Sequence, residues 1–183
     1  MHKSLTVLLL SLVLVACGGD KEFSEERKAS TNTVTVTLAS LESGEQIGTV
    51  RFKDSPDGVF ITPNLTGLTP GEHGFHVHEN YSCDTSIDSD GNTVLGGGAG
   101  GHYDPKKTGH HHGPDGEGHL GDLPLLIVGD EGQAVIPLVA SRLSVSDIIG
   151  RSLIVHAGGD NFSDDPVSLG GGGARVACGL INQ

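Results

Sequence analysis

From residue 33 onward the chain alternates between apolar and polar positions. "TVTVTLAS" (33–40) sets Val34, Val36 and Leu38 against threonines, the period-two pattern of a strand with one buried face. "IGTVRFKD" (47–54) and "GVFITPNL" (58–65) follow, separated by the turn residues of "SPDG". "HGFHVHE" (73–79) reads as a fourth strand, and "PLLIV" (124–128) and "QAVIPLV" (133–139), joined through "GDEG", as the next two. "RSLIVHA" (151–157) and "ARVACGLI" (174–181) bring the number to eight. The only helical feature is a single turn at "SVSDIIG" (144–150). This pattern predicts an all-β domain, an eight-stranded antiparallel barrel or sandwich spanning residues 33–183.

Two stretches break the rhythm. Residues 80–121 and 158–174 are glycine-rich and poor in core residues, and loops of such length in a compact domain are functional more often than not. Glycine numbers 29 in the chain and is clustered, which favours turns and shaped loops. Tryptophan is absent and aromatics make up 4%, so the core has to be aliphatic.

Ahead of the domain, "MHKSLTVLLLSLVLVAC" carries an early lysine and an apolar run from Leu5 to Val15. That run is too short to span a bilayer and suits a signal peptide, residues 1–16. It ends in "LVAC", which resembles the bacterial lipobox, with Cys17 as the lipidated residue. Residues 17–32 are then the lipidated N-terminus and a polar, flexible tether. Gly18, where an aspartate would favour inner-membrane retention, leans the expectation towards the outer membrane facing the periplasm. With Cys17 lipidated, Cys83 and Cys178 remain as a pair suited to an oxidising compartment.

The formal charge of −12 at pH 7 argues against nucleic acid or anionic lipid headgroups as partners. The ten histidines change the picture more, because eight of them lie between His73 and His119. His76 and His78 share one strand face, an arrangement that suits two ligands to one ion. The first long loop adds His102, His110, His111, His112, His119 and Asp122, and His156 ends a later strand. Imidazole with carboxylate suits zinc, and imidazole alone suits copper.

Taken in order, "GFHVHE", "GGHYDP", "HHGPDGEGHLGDLP", "GRSLIVHAGGD" and "GGGGARVACGLI" resemble the bacterial, periplasmic-type copper/zinc superoxide dismutases, in their lipoprotein form. The resemblance covers nearly the whole mature domain. It implies a Greek-key β-barrel with two long functional loops. It implies dismutation of superoxide anion to oxygen and hydrogen peroxide at one copper and one structural zinc per subunit, protecting the cell envelope. By that resemblance copper is held by His76, His78, His102 and His156, and zinc by His102, His111, His119 and Asp122. His102 bridges the metals and donates a proton. Arg175 orients the anion, Asp160 links a copper histidine to a zinc histidine, and Cys83 pairs with Cys178. His73 resembles a structural histidine bonded to backbone.

His110 and His112 have no role in the family and read as solvated side chains, with transient metal capture as the rival. The negative charge opposes an anionic substrate, so Arg175 and the metals would have to supply the local field, with Lys106 and Lys107 as further candidates. A homodimer stays open. The alternative from another class is a non-catalytic copper/zinc-binding lipoprotein, which would need the histidines but not Arg175.

Overall fold

The alternation of the first segment becomes β1 (Thr33–Ser40), whose valines and leucine are buried while Thr33, Thr35 and Thr37 face solvent. It continues into β2 (Gln46–Ser55) and β3 (Gly58–Leu65), which form an antiparallel meander. The remaining strands are β4 (Gly71–His73), β5 (Phe75–His78), β6 (Ser86–Ile87), β7 (Thr93–Val94), β8 (Leu126–Val128), β9 (Leu138–Ala140), β10 (Arg151–His156) and β11 (Arg175–Ile181). The structure, a computed structural model, describes residues 32–183. The expected signal peptide, Cys17 and all but the last residue of the tether lie outside the described residues.

Seven strands form one antiparallel sheet in the order β5-β10-β11-β1-β2-β3-β9, curled into a half-barrel. The N-terminal meander is flanked by late strands on both edges, the Greek-key pattern. A two-stranded ladder, β4 with β8, lends Leu126 and Val128 to the same core as Val36, Phe52, Ile61, Phe75 and Leu153. All eight expected strands are present. The one-turn helix forms at α1 (Val145–Ile148), closed by a capping box in which Ser144 and Asp147 satisfy each other's backbone N–H groups.

Three details depart from the alternation. The stretch expected as one strand at 73–79 is two, because the chain crosses from the β8 ladder to the β10 ladder at Gly74. There the Gly74 N–H donates to the Gly158 carbonyl (2.7 Å) and its own carbonyl accepts from His156 (2.8 Å). A Cβ at Gly74 would come within 3.1 Å of the His76 ring, so a larger residue at the crossing would have to displace that ring by a few tenths of an ångström. The expected strand at 133–139 shortens to β9, and the long first loop contains an unforeseen hairpin, β6 with β7.

The side of the sheet that matters for function is the outer one. Phe75 and Val77 of β5, and Leu153 and Val155 of β10, point into the barrel. Their alternates His76, His78, Ser152, Ile154 and His156 point the other way and are nevertheless buried. The two long loops fold over them. The Cys83–Cys178 disulfide, between residues 95 apart in sequence, fastens the first loop to β11, where Ala99, Ile154 and Cys178 make a small second core.

Candidate metal centre

Strand geometry alone assembles half of the site. In the β5–β10 ladder Ile154 pairs with His76 and Ser152 with His78, so two imidazoles project from β5 beside His156 at the end of β10. His102 joins through a bridge between His78 and His102. Its ring stacks on that of His76 with centroids 3.9 Å apart. One ligand nitrogen from each of His76, His78, His102 and His156 lies within 4.8 Å of the others.

Each of these rings has one nitrogen committed and one free. His76 Nε2 is 2.7 Å from Asp160 Oδ2, His78 Nδ1 is 3.0 Å from the Gly100 carbonyl, and His156 Nδ1 is 3.2 Å from the Gly173 carbonyl. Such contacts fix which nitrogen can act as a ligand. The free atoms face one another: His78 Nε2 and His156 Nε2 are 3.4 Å apart, and His76 Nδ1 and His102 Nε2 are buried with no hydrogen-bond partner among the described residues.

The other half is carried by the loop. His102 Nδ1 lies 2.9 Å from Asp122 Oδ1, and His111 Nδ1 lies 2.9 Å from Asp122 Oδ2. His119 Nδ1 stands a little farther off, 3.4 Å from Asp122 Oδ1. A group of donors within 4.8 Å of one another forms from His102, His111 and Asp122 with His76, and leaves out His119. With its Nε2 on Asp160, His76 has a single free nitrogen and can serve only one ion, so it belongs with the strand set. His111 Nδ1, His119 Nδ1 and Asp122 Oδ2 are all buried and, among the described residues, lack hydrogen-bond partners. Buried polar atoms in native folds are almost always paired. Convergent unpaired imidazole and carboxylate atoms are what a bound cation would satisfy, so the donor set fits one ion in each half.

The electrostatics divide in the same way. Burial pushes His76 down to about 3 and His156 down to about 4, and also lowers His78 and His102, which keeps these rings neutral as ligands must be. Burial opposes protonation of His111 as well, but the carboxylates of Asp122 and Asp160 overcome it and raise that ring to about 9. Despite burial, hydrogen bonds from the surrounding imidazoles hold Asp122 and Asp160 far below the ordinary carboxylate range.

Asp160 connects the halves, with Oδ2 on His76 and Oδ1 on His111 at 2.7 Å each. It also accepts the Phe162 N–H at 2.7 Å. Gly170, with φ of 72°, backs directly onto this carboxylate, and any Cβ there would collide with it. Arg175, at the start of β11, donates from both terminal nitrogens to the Gly96 and Gly100 carbonyls. Its guanidinium therefore shares the Gly100 carbonyl with His78.

The remaining sequence candidates lie elsewhere. His73 is buried, with Nδ1 2.6 Å from the His156 carbonyl and Nε2 2.8 Å from that of Thr69. His110 and His112 are exposed, their rings nearly parallel with centroids 5.7 Å apart, and Lys106 and Lys107 are exposed on the same loop. Sequence reasoning missed Arg142, which reaches from the segment after β9 to four carbonyls of the loop. A lone arginine in "ASRLS" carries no signal that could have revealed it.

Comparison with known proteins agrees with this geometry. A family model described as "Copper/zinc superoxide dismutase" matches residues 46–181. The chain is 45% identical over 182 residues to the "Superoxide dismutase [Cu-Zn]" of Photobacterium leiognathi, covering 99% of each chain. It is 46% identical over 174 residues to that of Escherichia coli K12, covering 94% of this chain and 96% of the relative. Among solved structures, the Cu/Zn superoxide dismutase from Brucella abortus superposes with a TM-score of 0.79 at 48% identity, covering 82% of this chain and all (100%) of that one. The monomeric copper, zinc enzyme from Salmonella enterica gives a TM-score of 0.73 at 47% identity, over 82% of this chain and 100% of its own. A half-barrel bearing two sets of unpaired donors that meet at one imidazole is thus matched along most of its length, and the chain belongs to the copper/zinc superoxide dismutase family.

Proposed function

We propose that the protein converts two superoxide anions and two protons into oxygen and hydrogen peroxide. The observation that carries this reading is the pair of donor sets meeting at His102, whose two ring nitrogens face one set each. His76, His78, His102 and His156 would hold copper; His102, His111, His119 and Asp122 would hold zinc. Copper, when bound, supplies a metal with two accessible oxidation states, and zinc, which has none, supplies a fixed charge.

The chain's own residues do the rest. His102 Nε2 has no hydrogen-bond partner among the described residues, so it is the atom at which that ring can hold a proton for the peroxide product. Asp160 locks the orientations of His76 and His111. Arg175 places a permanent positive charge beside His78 in a protein whose net charge of −12 repels anions. The "LVAC" sequence supports attachment to the bacterial envelope through a lipid on Cys17, with the enzyme protecting that compartment from the periplasmic side of the outer membrane. Loss of lipid labelling in Cys17→Ser is the expected outcome, and unlabelled native protein would rule out the anchor.

The test of the activity is the initial dismutation rate of fully metallated native protein and Arg175→Ala, measured against ionic strength. The native rate should fall with salt, since the Debye length shrinks to ~10 Å at 0.1 M. The variant should be slower and less salt-sensitive, at unchanged copper and zinc content. No activity in metallated native protein would favour a non-catalytic metal-binding lipoprotein instead.

A further inference from the structure

The loop that carries His111 and His119 has no strand ladder to shape it. Between those two residues the chain doubles back through "GPDGEG" (113–118), and the gap between its limbs sets how far apart the two rings stand. Arg142 occupies that gap. Its Nε donates to the Pro114 carbonyl at 2.7 Å and its Nη2 to the Gly113 carbonyl at 3.1 Å, both on the outgoing limb. Nη1 donates to the Gly118 carbonyl at 3.3 Å and Nη2 to the His119 carbonyl at 2.6 Å, both on the returning limb. Beside it, the Ser141 hydroxyl donates to Asp115 Oδ1 at the tip of the turn, at 2.9 Å.

Four carbonyl dipoles aimed at one point repel each other unless a cation sits there. A planar guanidinium with five fixed donors meets that need, and a lysine ammonium, a point charge with three rotatable donors, does not. Arg142 is held by the segment between β9 and α1, so the barrel itself dictates the spacing of the two limbs.

We infer that Arg142 is a positioning residue for zinc: it holds the loop in its metal-binding shape before the ion arrives, and so sets zinc affinity without touching the ion. This rests on the assignment of His111 and His119 to zinc. Outer partners of metal ligands typically contribute 10–100-fold to affinity, and Arg142→Ala should weaken zinc binding by about that factor. Arg142→Lys keeps the charge but loses the fork, and should recover only part of the loss. Copper affinity and the visible absorption of the copper site should stay near their native values, because none of the four copper donors lies in the segment that Arg142 holds.

The experiment is competition with a chelator for zinc in copper-loaded protein, for native, Arg142→Ala and Arg142→Lys, alongside thermal unfolding of the metal-free forms. Selective loss of zinc affinity, graded from Lys to Ala, supports the inference. If Arg142→Ala fails to fold, the same selective loss in Arg142→Lys still decides. Equal zinc affinity in all three proteins overturns it, and so does a loss that falls equally on copper or tracks only the unfolding temperature. Native protein that binds no zinc would overturn the zinc assignment as well, which separates the two failures.

Discussion

The two halves of the metal centre are built by different means. His76, His78 and His156 stand on β5 and β10, where backbone pairing fixes their spacing and the barrel core anchors the alternate residues. His111, His119 and Asp122 sit beyond any long ladder, and individual side-chain bonds from Arg142, Asp160 and Asp164 place the loop. The strand half would keep its shape if each of those tethers were cut singly. Backbone ties to the loop half are few, a bridge between His76 and Asp122 and a bond from the His119 N–H to the His110 carbonyl, which makes it the half where a change distant in sequence reaches the site.

The largest expected effect comes from cutting the covalent tie between loop and sheet. Cys83 and Cys178 close a loop of 95 residues, and removing that constraint should cost about 2–4 kcal/mol of stability. Denaturant unfolding of the Cys83→Ser/Cys178→Ser protein would measure it. The strand histidines should still bind copper in the folded fraction, while Arg175 loses its fixed approach, because the Gly96 and Gly100 carbonyls lie on the released loop. Copper binding that vanished along with the disulfide would break the contrast between the halves.

Asp160 offers a sharper and smaller test, because it touches both halves through bonds of equal length. Asp160→Ala should lower metal affinity within the range of about 10–100-fold, and the contrast predicts that zinc suffers more than copper. His76 keeps its ladder when the carboxylate goes. His111 loses one of its two buried carboxylate contacts, and the Phe162 N–H loses its carboxylate acceptor. Equal losses at both metals, read by chelator competition, would show that the strand does not pre-form its half.

What was legible in the sequence follows the same divide. Apolar patterning marked all eight expected strands, and "HVH" marked two of the three strand histidines, because strand periodicity is a local property of the residues. The crossing at Gly74 was not legible. It depends on the backbone bonds that Gly74 makes with His156 and Gly158, and those are a property of two segments far apart in the chain. The β6–β7 hairpin was hidden by its length, two residues per strand, which is too short for any period to show. The loop ligands could be placed only by likeness to a family, since nothing in "GHHHGPDGEGH" says which of three adjacent histidines turns inward. The structure buries His111 and leaves His110 and His112 outside; of the two residues that hold that arrangement, Asp160 was placed by the same likeness and Arg142 carries no local pattern at all.

The smallest expected effect is on the pH dependence of the metal-free protein, where the halves should pull in opposite directions. His76 and His156 fall from 6.5 to about 3 and about 4 on folding, chiefly because burial disfavours the charged ring. The unfolded chain therefore binds more protons over that interval, and the stability these rings contribute is present above pH 6.5 and lost as pH falls through their folded values. His111 is raised from 6.5 to about 9 by Asp122 and Asp160 against the opposing pull of burial. Its contribution is full below pH 6.5 and is lost as pH rises through 9, since there the folded form holds the extra proton. Stability of the metal-free protein, followed by denaturant midpoint, should decline on both sides of this crossover. His111→Gln should flatten the alkaline decline and leave the acid one, and His156→Gln should soften the acid decline and leave the alkaline one. An alkaline decline that survives His111→Gln unchanged would assign it to a group outside the loop half, and the electrostatic side of the contrast would fail.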